Sequence, residues 1–156
     1  MSKKDMEVDV TVTFSGSASL DPDNPPTLSP TYSSSTGVVD SDGNIDLTQL
    51  LQSSDQKNET KISFTLAGEI ANTFNDDGKS YKPKWPSSGS DAISVSQREQ
   101  AGGLDVPDGW DKNRNSDTKL TLTDPDDDGS TYDYTLYVKF DGVRCPVDPS
   151  IINRSM

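Results

Sequence analysis

Residues 131–147 read TYDYTLYVKFDGVRCPV, and this stretch decides the fold class. Every second residue from Tyr132 to Phe140 is apolar or aromatic, which is the period of a strand that buries one face. Asp141-Gly142 follows, and this dipeptide favours a two-residue hairpin turn because both positions of a type I′ turn need a positive φ. The stretch therefore predicts a long antiparallel hairpin.

The same period of two recurs earlier in the chain. It covers residues 8–14, 62–66 and 120–122, and a weaker version covers 92–96. Residues 45–51 fit either a short strand or a helical turn. No segment of ten or more residues has a helical stripe, so we predict an all-β fold: a single antiparallel β-sandwich or barrel of roughly six or seven strands with long polar loops.

The chain is expected to form one domain over residues 1–156 with a small core. Its apolar fraction is 29%, against about 45–50% in ordinary globular domains. The stretches 15–44 and 97–116 are poor in apolar residues and are expected to be long loops or insertions. Trp110 is expected to fold back from the second loop onto the core, and residues 149–156 to form a C-terminal tail.

Charge and composition exclude several function classes. The formal net charge of −12 disfavours nucleic acid and anionic membrane surfaces as partners. The chain has no histidine, so Ser-His-Asp and Cys-His mechanisms and histidine-ligated metals are excluded, and no cofactor is expected. No apolar signal segment or membrane-spanning run is visible, so the protein is expected to be soluble and, by default, cytoplasmic.

The hairpin turn also predicts the partners of the last strand. Counting back from Asp141-Gly142 sets Leu136 opposite Val147, and Thr135 opposite Asp148. Apolar residues meet apolar residues in this register, which supports it.

A second pairing, between residues 119–124 and the tyrosine-rich strand, would complete a polar row. It sets Lys119 opposite Thr135, so that Lys119, Thr135 and Asp148 form one row across three strands, with Asp133 diagonal to Asp148. A shift of this pairing by two residues would put a tyrosine opposite Lys119 instead.

The row contains the elements of a peptide-bond cleavage. In the Asp148-Pro149 bond, the aspartate carboxyl can reach its own carbonyl carbon through a five-membered ring, and the proline nitrogen leaves readily once it is protonated. A fixed geometry lowers that barrier. Asp133 would activate water or transfer the proton. Lys119 would stabilise developing negative charge or, when neutral, capture the acyl group as an isopeptide amide.

Plainer interpretations stay open for the same residues. Asp-Pro pairs are common in turns, and the chain has two others, Asp21-Pro22 and Asp124-Pro125. A lysine opposite a threonine usually lies on a solvated strand face. Cys145 is a small core residue in this interpretation rather than a nucleophile, since no histidine is available to activate it.

A second function class comes from the acidic residues 124–129, DPDDDG, which match the opening of a calcium loop. A full EF-hand would need glutamate at the twelfth position, which is Thr135 here, and flanking helices. The alternative function is therefore a non-enzymatic acidic β-sandwich that serves as a binding or assembly module, with or without calcium.

Several stretches together resemble one known family, the bacterial DP-EP family of small β-sandwich proteins. They are the N-terminal VDVTVTF, TKISFTLAG, SDTKLTLTD, the tyrosine-rich strand that ends in KFDG, and the terminal VDPSIINR. The resemblance covers mainly residues 58–67 and 116–154.

This resemblance implies a self-cleaving, self-assembling aspartic-type endopeptidase. The scissile bond would be Asp148-Pro149, and the family's lysine, which can become joined to that aspartate, best matches Lys119. Lys139 is the alternative, but it falls opposite Arg144 near the turn. The implied partner is the protein's own C-terminal tail, retained as a strand or exchanged between copies.

Overall fold

The fold is all-β, as the sequence predicts. The computed structural model describes residues 4–49, 56–74, 78–87, 92–97, 110–125, 131–147 and 150–152. Within these ranges the elements are β1 (Lys4–Phe14), β2 (Ser17–Ala18), β3 (Thr31–Ser33), β4 (Ile45–Asp46), a 3-10 helix (Leu47–Gln49), β5 (Gln56–Gly68), β6 (Ile70–Asn72), β7 (Ser80–Tyr81), β8 (Ile93–Gln97), β9 (Asp111–Arg114), β10 (Lys119–Asp124), β11 (Thr131–Phe140), β12 (Val143–Val147) and β13 (Ser150–Ile152).

The strands form open sheets rather than a closed barrel. The first sheet has the order β3-β1-β5-β10-β9, and a small third sheet has the order β2-β6-β7. The second sheet is built on β11, with β12 and β13 along one edge, β8 along the other edge, and β4 beyond β13. The strand count exceeds the roughly six or seven expected, because the polar stretches contribute short strands.

The expectation of a purely antiparallel sandwich is wrong in one respect. β1 runs parallel to β5 over most of its length, and the short pairs β2–β6 and β13–β4 are parallel as well. A parallel pair needs a long crossover connection. The long stretch between β1 and β5 supplies this crossover, which a count of hairpin turns does not reveal.

The core lies between the inward faces of the first two sheets. The inward residues are Val8, Val10, Val12 and Phe14 of β1, Ile62, Phe64 and Leu66 of β5, Leu120 and Leu122 of β10, and Tyr132, Tyr134, Leu136, Val138 and Phe140 of β11. Phe14 meets Phe140 edge-on with ring centroids 5.0 Å apart, and Phe64 meets Tyr134 at 5.4 Å. These contacts show that the sheets pack face to face, and aromatic pairs of this kind add to the stabilisation from burial.

The two stretches expected to be loops contain strands. Residues 15–44 contribute β2 and β3 and bury Leu20 and Val38. Residues 98–109 lie outside the described residues, but Asp111–Arg114 forms β9 at the edge of the first sheet. An edge strand needs few apolar residues, so its polar sequence gave no strand signal. Trp110 is 8% exposed and packs against Tyr132 in a tilted arrangement with ring centroids 4.9 Å apart, which confirms that it folds back onto the core.

The end of the parallel β1–β5 pair depends on one glycine. Gly68 has a φ of +81°, and a Cβ atom there would lie 2.0 Å from the carbonyl oxygen of Phe14. That oxygen accepts a hydrogen bond from the backbone N–H of Glu69 at 3.1 Å. Any side chain at position 68 would therefore push the two strands apart.

Replacing Gly68 with alanine is expected to lower the free energy of unfolding by about 3 kcal/mol, because both the positive φ and the clash with Phe14 disfavour a Cβ. Gly37→Ala is the matched control, since nothing lies within 4 Å of a Cβ at that position. Urea denaturation of the two variants measures the difference. Equal stabilities would contradict the described approach of β5 to β1.

Candidate functional site

The predicted hairpin register is confirmed. Phe140 pairs with Val143, and Leu136 pairs with Val147. Asp141 and Gly142 form the connecting turn with φ values of 50° and 78°, the positive sign that a type I′ turn needs. The turn therefore sets which residues of β12 face each residue of β11.

β13 continues the same register beyond β12. Ser150 pairs with Asp133, and the two residues between Val147 and Ser150 match the two residues between Leu136 and Asp133. The two strands thus lie end to end along one edge of β11 without a shift. Asp148 and Pro149 lie between them and outside the described residues, so the predicted pairing of Thr135 with Asp148 stays a prediction.

The predicted pairing of Lys119 with Thr135 is wrong. β10 pairs with β5 and β9 rather than with β11, and Lys119 faces Thr65 of β5. Its side chain is exposed on the outer face of the first sheet. Thr135 alternates with the buried residues of β11 and lies on the outer face of the second sheet, so the core separates Lys119 from Thr135.

The place expected for β10 is taken by β8. Thr135 pairs with Ser94, and Asp133 pairs with Ser96. The sequence of β8 gives only a weak strand signal, because a run of five residues with two serines shows little periodicity. The apolar residues of β10 fit the core equally well from the opposite sheet, so their pattern could not identify the partner strand.

The candidate site is therefore the outer face of β11 between β8 and β13. Asp133 and Thr135 are half-buried there, and both take part in interactions with their surroundings. Ser94 adds a nearly buried hydroxyl group beside Thr135. Among the described side chains, the site thus holds one carboxyl group, a group that is chemically able to transfer protons, and two hydroxyl groups able to form hydrogen bonds, next to the ends of β12 and β13.

The alternative lysine lies at the other end of the strand. Lys139 pairs with Arg144, four residues along β11 from Thr135. Four residues of extended chain span about 13 Å. This separation places the Lys139 backbone well away from any residue held beside Thr135.

The calcium interpretation gains no support from the described residues. Asp124 is the last residue of β10, fully buried and paired in register with Thr60 rather than exposed in a loop. Residues 126–130 lie outside the described part of the chain. Within the part that is described, no group of three or more His, Cys, Asp or Glu side chains could hold a metal ion.

Acidic residues on two of the strands stabilise the connecting segments that lie beside them. Asp9 accepts hydrogen bonds from the hydroxyl and backbone N–H groups of Ser35, and these bonds lower the pKa of its carboxyl group. Asp46 accepts from the hydroxyl group of Thr48 and the amide of Gln49, with the same effect on its pKa. Such carboxylates act as caps that order the connections.

Comparison with known proteins finds a distant structural similarity. No protein-family model matches the chain, and no curated protein sequence matches it. Among solved structures, the chain is similar to the crystal structure of the inclusion body protein PixA from Burkholderia cenocepacia J2315, with 11% identity, a TM-score of 0.38 and 97% of each chain covered. No inference about activity follows from a similarity of this size.

One further finding concerns membranes. Within the described ranges, no helix has the length and apolar character needed to span a bilayer.

Cys145 is a core residue in the structure. Its side chain is 0% exposed, its thiol lies 3.7 Å from the Val143 carbonyl oxygen, and burial raises the pKa of the thiol to about 11. At neutral pH only about one thiol in ten thousand would be ionised at such a pKa, and the thiolate is the nucleophile.

Native protein is therefore expected to resist alkylation of Cys145 by iodoacetamide at mildly alkaline pH, whereas protein unfolded in guanidinium chloride should react fully. The extent of reaction is read from intact mass, with Cys145→Ser as the control for other modified sites. Rapid labelling of the native protein would contradict the described burial of β12.

Proposed function

We propose that this protein cleaves its own chain at the Asp148-Pro149 bond and retains the C-terminal strand in its second sheet. One observation carries the proposal: β12 and β13 follow a single register along β11 on both sides of that bond. The resemblance of the terminal VDPSIINR to the DP-EP family points to the same reaction.

Anchoring on both sides favours the cyclisation that starts the cleavage. Val147 pairs with Leu136, and Ser150 pairs with Asp133, so two residues of chain connect two fixed points. A carboxyl group held near its own carbonyl carbon replaces a rare encounter with a permanent one. The native strand pairing should therefore accelerate cleavage over that of the unfolded chain.

The proposed reaction has two steps. First, a carboxyl oxygen of Asp148 bonds to its own backbone carbonyl carbon, the bond from that carbon to the Pro149 nitrogen breaks, and the nitrogen takes up a proton. A cyclic anhydride and a free proline amine result. Water then adds to the anhydride and opens it to two carboxyl groups, so that the sum of both steps is hydrolysis of one peptide bond.

Asp133 is the candidate for proton transfer in both steps. It lies on the outer face of β11 and pairs with Ser150, two residues after Asp148. Diagonal neighbours on one sheet face lie about 7–8 Å apart, a distance that one water molecule can bridge. Asp133 would deliver the proton to proline and then activate the water.

The proposal does not include an isopeptide link. Lys119 faces outward from the first sheet, and Lys139 lies four residues beyond Thr135 on β11. With neither Lys119 nor Lys139 placed beside the bond to capture the acyl group, the proposed reaction ends in hydrolysis. The larger product should therefore carry the mass of a free C-terminal aspartate.

The cut strand would stay in place through its neighbours. β13 pairs with β11 on one side and with β4 on the other, where Ile151 faces Ile45. Loss of β13 would expose strand edges on both neighbours, and an exposed edge accepts a strand from another copy. The non-enzymatic assembly alternative would use the same exchange without cleavage.

Intact mass of freshly purified protein, followed over days near neutral pH, tests the cleavage. We expect loss of a fragment equal to residues 149–156, at least about tenfold faster in native protein than in guanidinium chloride. Asp21-Pro22 is an internal control, because Asp21 begins an exposed turn and its carboxyl group accepts a hydrogen bond from the Asp23 N–H. An intact native chain, or equal cleavage at both bonds, would overturn the proposal.

Variants separate the proposed roles. Asp148→Ala should abolish cleavage, and Asp133→Asn should slow it by about 100-fold, the usual contribution of a general acid–base group. Asp111→Asn, which removes one carboxylate from the outer strand β9, is the matched control and should cleave at the normal rate. If Asp133→Asn also cleaved normally, Asp133 would have no role in proton transfer.

Retention of the strand has its own measurement. After cleavage, the fragment of residues 149–156 should co-elute with the larger product in size-exclusion chromatography and separate from it only in denaturant. Mixing cleaved protein with isotopically labelled cleaved protein would reveal exchange as fragments of mixed origin. Immediate release of the fragment would contradict the proposed retention.

A further inference from the structure

A basic cleft lies at one end of this acidic protein. The chain has a net charge of −12 and only 14 lysines and arginines. Four of these cations line a single cleft of about 560 Å³, the basic cleft, which is formed by Lys82, Lys84, Arg114 and Lys139 together with Tyr81 and Trp85. The positive charge of this cleft is opposite in sign to the net charge of the whole chain.

Backbone hydrogen bonds hold the cleft together. Lys84 and Lys139 exchange two of them, with N···O distances of 3.0 and 2.8 Å, and thereby attach the segment 82–87 to the second sheet. The Trp85 N–H donates to the Asp117 carbonyl oxygen at 2.7 Å, which attaches the same segment to the β9–β10 hairpin of the first sheet. The cationic side chains therefore project from a fixed frame.

Two of the lysines face each other directly. Residues in an antiparallel bridge have Cβ atoms about 4.5–5.5 Å apart, and like charges in such positions are destabilising. Within the described part of the chain, the ammonium groups of Lys84 and Lys139 make no hydrogen bond or ion pair. The Asp117 carboxylate interacts electrostatically with Lys84 and offsets part of this repulsion, and an anion bound between the two lysines would relieve the rest.

Arg114 is held in place by other contacts. Its Nε donates to the Pro86 carbonyl oxygen at 2.7 Å, and its Nη2 lies 2.6 Å from Asp117 Oδ1. The hydrogen bond and charge of Arg114 lower the pKa of Asp117, so this carboxyl group stays ionised. The carboxylates of Asp117 and Asp141 neutralise two of the four positive charges, so the cleft and its immediate surroundings keep a net charge of +2.

Trp85, which lines the cleft, also carries a buried and unsatisfied hydrogen-bond donor. Trp85 is 2% exposed, and its indole Nε1–H has no hydrogen-bond partner among the residues that the structure describes. A buried donor without an acceptor is costly to the folded state. Because this atom has almost no accessible surface in the ligand-free fold, the Trp85 ring would have to turn its N–H into the cleft for a ligand oxygen to satisfy it.

We propose that the basic cleft binds a small organic anion through a dianionic oxyanion group, as in a phosphate monoester, with the organic part of the ligand against Tyr81. Lysine ammonium groups and the arginine guanidinium both suit phosphate oxygens. The volume falls within the usual range of small-molecule sites, about 300–1,000 Å³. The ligand is small because the surrounding negative surface would repel an extended polyanion.

The cleft is separate from the proposed cleavage site. Lys139 lies six residues along β11 from Asp133, which corresponds to about 20 Å of extended chain. Anion binding therefore does not depend on self-cleavage, and an Asp148→Ala variant that cannot cleave should bind the anion normally.

Titration with inorganic phosphate and with phenyl phosphate tests the proposal. Both should bind saturably, phenyl phosphate more tightly, with backbone amide shifts confined to the residues that line the cleft, at 80–87, 114 and 139–142. In a Trp110→Phe background, Trp85 fluorescence should report the same binding curve. Lys84→Met and Lys139→Met should each weaken binding about fivefold, whereas Lys61→Met, which removes an exposed lysine from the outer face of β5, should leave it unchanged.

Thermal unfolding gives a readout that does not rely on a binding signal. At low ionic strength, Lys84→Met should melt at the same temperature as the wild type or higher, because it removes the like-charge pair. Phosphate should raise the Tm of the wild type more than that of the variant, since it binds the folded wild-type protein more tightly. A lower Tm for the ligand-free variant, with an unchanged response to phosphate, would overturn the proposal.

Other outcomes would also overturn the proposal. Absence of saturable shifts at the cleft in millimolar phenyl phosphate would do so, as would equal affinities in all the lysine variants. A synthetic peptide of residues 124–129 that bound better than phenyl phosphate, together with self-association lost in Lys84→Met, would identify an acidic segment of a second copy as the ligand instead.

Discussion

The register of β11 against its neighbours is the constraint on which the rest of the structure depends. The side-chain period of a strand is two, so a slip of one residue would turn every aromatic residue of β11 from the core to the solvent. The turn at Asp141 and Gly142 sets this register on one edge, and the contacts of Phe140 with Phe14 and of Tyr134 with Phe64 maintain it across the core.

One strand therefore organises two separate surfaces. Near its start, the outer face of β11 presents Asp133 and Thr135 between β8 and β13. Near its end, Lys139 bonds through its backbone to Lys84 and lines the basic cleft. The residues that β11 contributes to these surfaces alternate with its buried residues. The packing of the buried apolar side chains therefore fixes where the polar side chains of Asp133, Thr135 and Lys139 lie.

The edge position of β12 in the second sheet explains the proline inside that strand. Pro146 lies in β12, an edge strand of this sheet, where a missing N–H costs no ladder bond. Its carbonyl oxygen accepts a hydrogen bond from the Leu28 N–H at 3.0 Å, so part of the 15–44 stretch covers this edge. The polar stretches of the sequence thus protect strand edges, which would otherwise be exposed to other chains.

The sequence alone determined the all-β class, the hairpin at Asp141-Gly142 and the inward faces of the long strands, because burial and turn geometry are local properties of a few residues. The tertiary structure alone decided that β10 pairs with β5, that polar β9 is a strand and that Lys84 faces Lys139. Backbone hydrogen bonds form in the same way whatever the side chains, so the pattern of side chains identifies a buried face but not a partner strand.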